Sequence, residues 1–210
     1  MKKNFKLLVI LLVIVLGYII FNRSPERTSP ESSTEKQLTG SVVDERDGQT
    51  YPWVKINNLQ WMTKNLAFKT DSGVWSYEDD DANVDVYGYL YNWESALSAC
   101  PAKWRLPTRK EWDEMQSSLG QDAGGKLKET GTAHWQSPND GATNASKFTG
   151  LPAGANFDGE YAAMGRTGFW WTDTQLNDEN AYALYVDHDH SGISWYAGTK
   201  TRGLSIRCVK

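Results

Sequence analysis

The chain has 210 residues, a formal net charge of −4, ten tryptophans and two cysteines. About 170 residues follow an apolar N-terminal segment, enough for one core and too few for two comfortable ones. The acidic balance, and the lack of any Lys/Arg cluster interleaved with aromatics, exclude a reader of phosphate backbones, so nucleic acid is not an expected partner.

In chain order, Lys2, Lys3 and Lys6 precede an uninterrupted apolar run from Leu7 to Phe21. The run falls a little short of the roughly twenty residues that span a bilayer, but Phe5 extends it and Lys6 and Arg23 can snorkel. No small-x-small cleavage site and no lipid-accepting cysteine follows it. Residues 1–23 therefore read as an uncleaved signal anchor, a transmembrane helix, with cleavage and secretion as the alternative. The positive-inside rule keeps the N-terminus in the cytoplasm and makes this a single-pass membrane protein with its C-terminal domain in the cell envelope. Residues 24–37 hold two prolines and several Ser/Thr with almost no apolar residue, the composition of a disordered linker. The folded domain is expected over 38–210.

From Gly40 to Phe68 short apolar stretches alternate with Asp47-Gly48 and Asn57-Asn58, which predicts strands joined by hairpins, with Trp53 and Trp61 in the core. The next loop places Asp79, Asp81, Asn83 and Asp85 at every second position, as calcium loops do. Val84 stands where such loops have glycine, and no glutamate follows at the twelfth position. A solvated acidic loop and a calcium site both stay open, and no other cofactor is expected.

The stretch Cys100 to Trp112, CPAKWRLPTRKEW, predicts a tight crossing between two helices. Pro101 ends the run Asn92 to Ala99, and Pro107 pushes Leu106 toward extended geometry. Thr108 and Glu111 have capping-box spacing. Trp112, Met115 and Leu119 then share a face, and Gly120 is placed to end the helix in a left-handed conformation. After Gly120 the chain becomes glycine-rich and loop-like, and the last third regains a strand rhythm in GFWWTDT, AYALYVD, GISWYAGT and LSIRCVK. Two helices, short antiparallel strands and long loops make an α+β domain.

Several blocks also resemble a known family. GSVVDERDGQTYPWVKINNLQWMTKNLAF, YGYLYNW, the CPAKWRLPTRKEW stretch, LPAGANFDG, GFWWTDT and LSIRCVK stand in the order found in the Fibrobacter succinogenes major paralogous domain family. The resemblance spans about Leu38 to Lys210 and implies a C-type-lectin-like fold, shared with formylglycine-generating enzymes, whose sequences carry a stretch like Arg105 to Trp112. Many members bracket the acidic loop with two cysteines, at positions aligned with Ser76 and Val84, so this loop is expected to be looser and held by Trp75 and Tyr77. The resemblance further implies a disulfide between Cys100 and Cys208, in keeping with an even cysteine pair in an exported chain.

The related enzymes hold copper with a cysteine pair, or iron with histidines. Cys100 and Cys208 occupy structural places, and His188 and His190, which could begin a metal site, precede Ser191-Gly192 at an apparent hairpin tip. No nucleophile elbow, P-loop, zinc-protease or dinucleotide motif occurs. The chain is therefore read as no enzyme but as a recognition domain for a polysaccharide or an envelope protein. A structural or protein-interaction module is the alternative, and a formylglycine-generating-type activity the more distant one. Aromatic faces beside polar turns suit sugar rings, and Trp135, Trp171, Trp195 and Tyr196 are the candidates, with Asp173, Asn177 and Asp187 as polar partners.

Overall fold

The structure is a computed structural model that describes residues 38–210; the anchor expected over 1–23 and the linker over 24–37 lie outside the described residues. Among the described residues no helix is long and apolar enough to cross a membrane. The architecture is mixed α+β.

Strands β1 (Thr39–Val43), β2 (Thr50–Ile56) and β3 (Leu59–Met62) form an antiparallel sheet in that order. The two-residue turn between β2 and β3 puts Asn57 at φ 54°, the positive-φ conformation that asparagine tolerates in tight hairpins. Strand β4 (Val74–Trp75) pairs with β5 (Leu90–Tyr91), and between them run two 3₁₀ turns and the short helix α1 (Val84–Tyr87). Helix α2 (Trp93–Ala99) starts at Asn92, whose side chain accepts from the Ser95 amide. Helix α3 (Arg109–Leu119) has the expected capping box: Thr108 Oγ1 accepts from the Glu111 amide at 3.1 Å, and the Glu111 carboxylate accepts from the Thr108 amide at 2.8 Å. Gly120 ends it at φ 70°, ψ −152°, outside the left-handed helical region that was expected but still in glycine's territory. Two helices were expected; α1 and α4 (Ala123–Leu127) are additional single-turn pieces.

The largest sheet holds β6 (Ala153–Phe157), β7 (Glu160–Met164), β8 (Thr167–Gln175), β9 (Asn180–Asp187) and β10 (Ser194–Thr199), ordered β10-β9-β8-β6-β7. Both of its faces are packed. Phe169, Trp171, Ala181 and Ala183 belong to one core with Trp93, Ala96 and Ala99 of α2. Trp170, Leu184 and Val186 point the other way, into a second core with Trp112 and Met115 of α3. This double burial explains why Phe169, Trp170 and Trp171 stand as three large apolar residues in succession.

The closing segment corrects the sequence expectation. Gly203–Val209 pairs by isolated bridges with five different partners, so this segment is a buried cord rather than a strand of one sheet. Leu204 bridges Tyr91, Ser205 bridges Trp170, and Val209 bridges both Trp61 and Arg105. Arg207 is fully buried and donates to Asn65 Oδ1 at 2.6 Å, Met62 O at 3.0 Å, Phe148 O at 2.7 Å and Thr149 O at 2.9 Å. Burial pushes its pKa down to about 9, so it stays charged at neutral pH. Cys208 is joined to Cys100, at the end of α2, across a sequence separation of 108.

The glycine-rich excursion after Gly120 is likewise not a set of free loops. Leu127, Trp135 and Phe148 lie in the second core, and Lys128 is fully buried with its ammonium on the carbonyls of Asp187 and His190.

Candidate functional site

The candidate ligand residues do not form one site. Trp135 and Trp171 are 1% and 0% exposed, and their indole N–H groups donate to Gly150 O and Tyr91 O. Both are core, and neither offers a face to a ligand; turn-like neighbours in sequence misplaced them because Trp135 is buried between partly and fully exposed neighbours and Trp171 lies on a packed face of β8.

Trp195 and Tyr196 are adjacent on β10 and so point to opposite faces of the sheet. Tyr196 lies beside Phe169 and Phe157, with ring centroids 5.8 and 6.5 Å away, and under Arg202. Trp195 pairs with Leu184, and Tyr182 with Ala197, which brings Trp195 and Tyr182 to the same face with centroids 6.5 Å apart. Both are half-buried.

Into this corner α3 sends its first residue. The Arg109 guanidinium carbon sits 4.1 Å from the Tyr182 ring centre and 4.8 Å from that of Trp195. The Arg109 amide donates to Thr174 Oγ1 at 3.0 Å, and the Thr174 hydroxyl donates to Asp173 Oδ1 at 3.0 Å. A register irregularity between Trp171 and Gln175 carries Asp173 and Thr174 out of the ladder toward α3. The corner therefore gathers Arg109, Tyr182, Trp195, Thr174 and Asp173. Sequence reasoning named Trp195 and Asp173 and missed Arg109 and Tyr182. Arg109 carried no signal beyond its place after a helix cap, and Tyr182 needed the β9–β10 register.

Asn177 and Asp187 stand apart from it. Asn177 Oδ1 accepts from the amides of Glu179 and Asn180, so its side chain builds the β8–β9 turn. Asp187 is at the far end of β9, seven steps of about 3.3 Å from Asn180. Its carboxylate accepts from Thr167 Oγ1 and from the His188 amide. Asp187, His188 and Asp189 are the one group among the described residues whose ligand atoms lie within 4.8 Å of one another. The buried Lys128 ammonium is already there; burial lowers its pKa, and Asp140, Asp187 and Asp189 work against that shift.

The acidic loop is not assembled as a cage. Asp79 accepts from the Tyr161 hydroxyl at 2.6 Å, Asn83 donates to Tyr77 O, and two 3₁₀ turns interrupt the alternation that would have aimed Asp79, Asp81, Asn83 and Asp85 at one point. Tyr77, Ser76 and Val84 are buried beside it.

The model of the Fibrobacter succinogenes major domain matches residues 54–210, which hold the second core, all of the first core's buried residues but Tyr51, the cord and the disulfide. The chain belongs to this family. The match opens inside β2, and β1 precedes it. No curated protein and no solved structure matches the chain.

Proposed function

We propose that this member of the family is an extracytoplasmic, non-catalytic recognition domain, carried by a membrane anchor at residues 1–23, whose ligand surface is the corner formed by the start of α3 and the β9–β10 edge. The observation that carries this reading is the placement of Trp195 and Tyr182. They are half-exposed beside a guanidinium, while Trp135 and Trp171 are consumed by the core. Ligand recognition from the edge of a rigid, doubly packed sheet needs little reorganisation.

The finer fold reading, a C-type-lectin-like domain, is supported by the tie between the end of α2 and the closing segment. Both cysteines of the chain are spent in that bond, which speaks against a copper-holding thiolate pair of the formylglycine-generating type. A second reading, a protein-contact module, is favoured by β1, an edge strand flanked by Leu38 and ending in Val43, which are 59% and 54% exposed.

The test is a glycan array probed with the purified chain. Trp195→Ala is expected to weaken the retained ligand about tenfold, or about 1.4 kcal/mol, with little change in melting temperature. Unchanged binding in that variant would remove the corner from the reading.

A further inference from the structure

We infer that the ligand taken at this corner is a polysaccharide bearing uronate groups, with its carboxylate held by Arg109; this deepens, and rests on, the recognition reading above. The two aromatic rings do not stand open for a neutral sugar to stack on. Arg109 already lies over both, at 4.1 and 4.8 Å, so the rings serve to hold a guanidinium.

Among the described residues that guanidinium has no partner beyond the two rings. None of its five N–H donors meets an acceptor among the described residues, and no carboxylate lies within ion-pair distance. Of the other stacked arginines, Arg46 pairs with Asp44 and Arg207 meets four acceptors, while Arg202 makes no side-chain hydrogen bond among the described residues but stands 3.8 Å from the Asp158 carboxylate. Arg166 makes no side-chain bond either, but it is exposed and stacks on no ring. Among the described residues Arg109 alone is stacked on aromatic rings with neither a side-chain hydrogen bond nor a carboxylate within ion-pair distance. Beside it, Tyr182 Oη and Trp195 Nε1 make no hydrogen bond among the described residues and are not buried. A pre-oriented fork with two further donors around it suits a planar anion, which such a fork can bind through two parallel bonds.

Asp173 narrows the class. It is linked through Thr174 to the Arg109 amide, at the start of the same helix, and its Oδ2 accepts no hydrogen bond among the described residues and is left for a hydroxyl group. A ligand that fits must present a carboxylate to Arg109 and hydroxyl donors to Asp173 at once. A uronate residue does both; a phosphodiester or an acidic peptide side chain supplies only the anion.

The test uses the purified full chain against immobilised polygalacturonate, the same polymer fully methyl-esterified, and polyglutamate. The acid polymer should bind at least tenfold more tightly than the ester, and the preference should shrink as salt rises. Arg109→Gln should abolish the preference, Arg109→Lys should keep part of it, and Arg166→Gln should leave it intact. Equal binding of acid and ester, or wild-type binding by a folded Arg109→Gln, overturns the carboxylate assignment and leaves the recognition reading standing. Polyglutamate bound as tightly as polygalacturonate overturns the sugar assignment. A folded chain that retains no polysaccharide at all removes the recognition reading and this inference with it. Should Arg109→Gln fail to fold, the acid-to-ester ratio of the wild-type chain and the Lys variant decides.

Discussion

The cord Gly203–Val209 and strand β10, Ser194–Thr199, are separated by three residues, and the molecule treats them in opposite ways. Strand β10 has one neighbour, β9, and a free edge, and most of its residues keep contact with solvent. The cord is buried at every residue because it has neighbours on all sides, each a different element. Two extended segments so close in sequence thus end with opposite degrees of burial. The difference lies in how many elements claim their backbone groups. Stability should be concentrated in the cord and the proposed binding at the edge, and substitutions can break that division.

The largest effect is expected at Arg207. Arg207→Met removes the charge but leaves the carbonyls of Met62, Phe148 and Thr149 buried without their donor. At about 1 to 3 kcal/mol for each orphaned acceptor, the loss approaches the whole stability of a small domain. The variant should fail to accumulate as folded protein, and a cooperative urea transition near that of wild type would show that the cord does not hold the fold. Trp171→Ala comes next. It should cost about 3 to 5 kcal/mol by chemical denaturation, as buried tryptophans do. A cost below about 1 kcal/mol would mean that the sheet's inner face is not the packed core described here.

Much of this was legible in the sequence. The capping box at Thr108 and Glu111, the helix stops at Pro101 and Gly120, and the hairpin at Asn57-Asn58 depend on neighbours within a few residues, and the structure has all of them. The Cys100–Cys208 pairing came through the family resemblance, and the structure has it too. What was not legible depends on distant partners. LSIRCVK alternates apolar and polar residues like a half-exposed strand, yet its arginine is buried because Asn65, Met62, Phe148 and Thr149 converge on it from elsewhere in the chain. Trp135 and Trp171 sit among glycine, aspartate and asparagine in sequence, and burial depends instead on what the tertiary fold stacks over them. Arg109 and Tyr182 meet Trp195 only through a β9–β10 register and a helix position that no local pattern encodes.

The disulfide tests the cord from a different side, because it acts on the unfolded chain as well as on the native contact. Closing a loop of 108 residues is worth up to about 4.7 kcal/mol in the chain-entropy model, and removing a native bridge commonly costs about 2 to 5 kcal/mol. The double variant Cys100→Ala/Cys208→Ala should therefore unfold at markedly lower urea. The ligand binding proposed for the β10 edge should survive under conditions where the variant remains folded. If binding fell in step with the bridge while the fold persisted, cord and edge would be coupled and the division between them would not hold.

The smallest expected effect is a pH dependence carried by two carboxylates that flank the cord. Hydrogen bonds from Arg46 hold the Asp44 carboxyl below its ordinary value of 3.8, against the opposing effect of burial. Arg46 also donates to Ala99 O, next to Cys100. Burial alone would raise Glu111, but the Arg105 fork and the Thr108 amide outweigh it and bring the group below 4.5; Arg105 itself bridges Val209. In both cases the folded state binds protons less readily than the unfolded one. Their contribution is therefore complete above about pH 4.5 and is lost as pH falls through the lowered folded values. Melting curves between neutrality and acid should show wild-type stability falling in this window. Asp44→Asn and Glu111→Gln should begin lower at neutral pH and fall less steeply. Trp195→Ala, which touches neither carboxylate, should track the wild-type slope throughout. Parallel slopes for all four proteins would place the acid sensitivity elsewhere and leave the flanks of the cord as neutral packing.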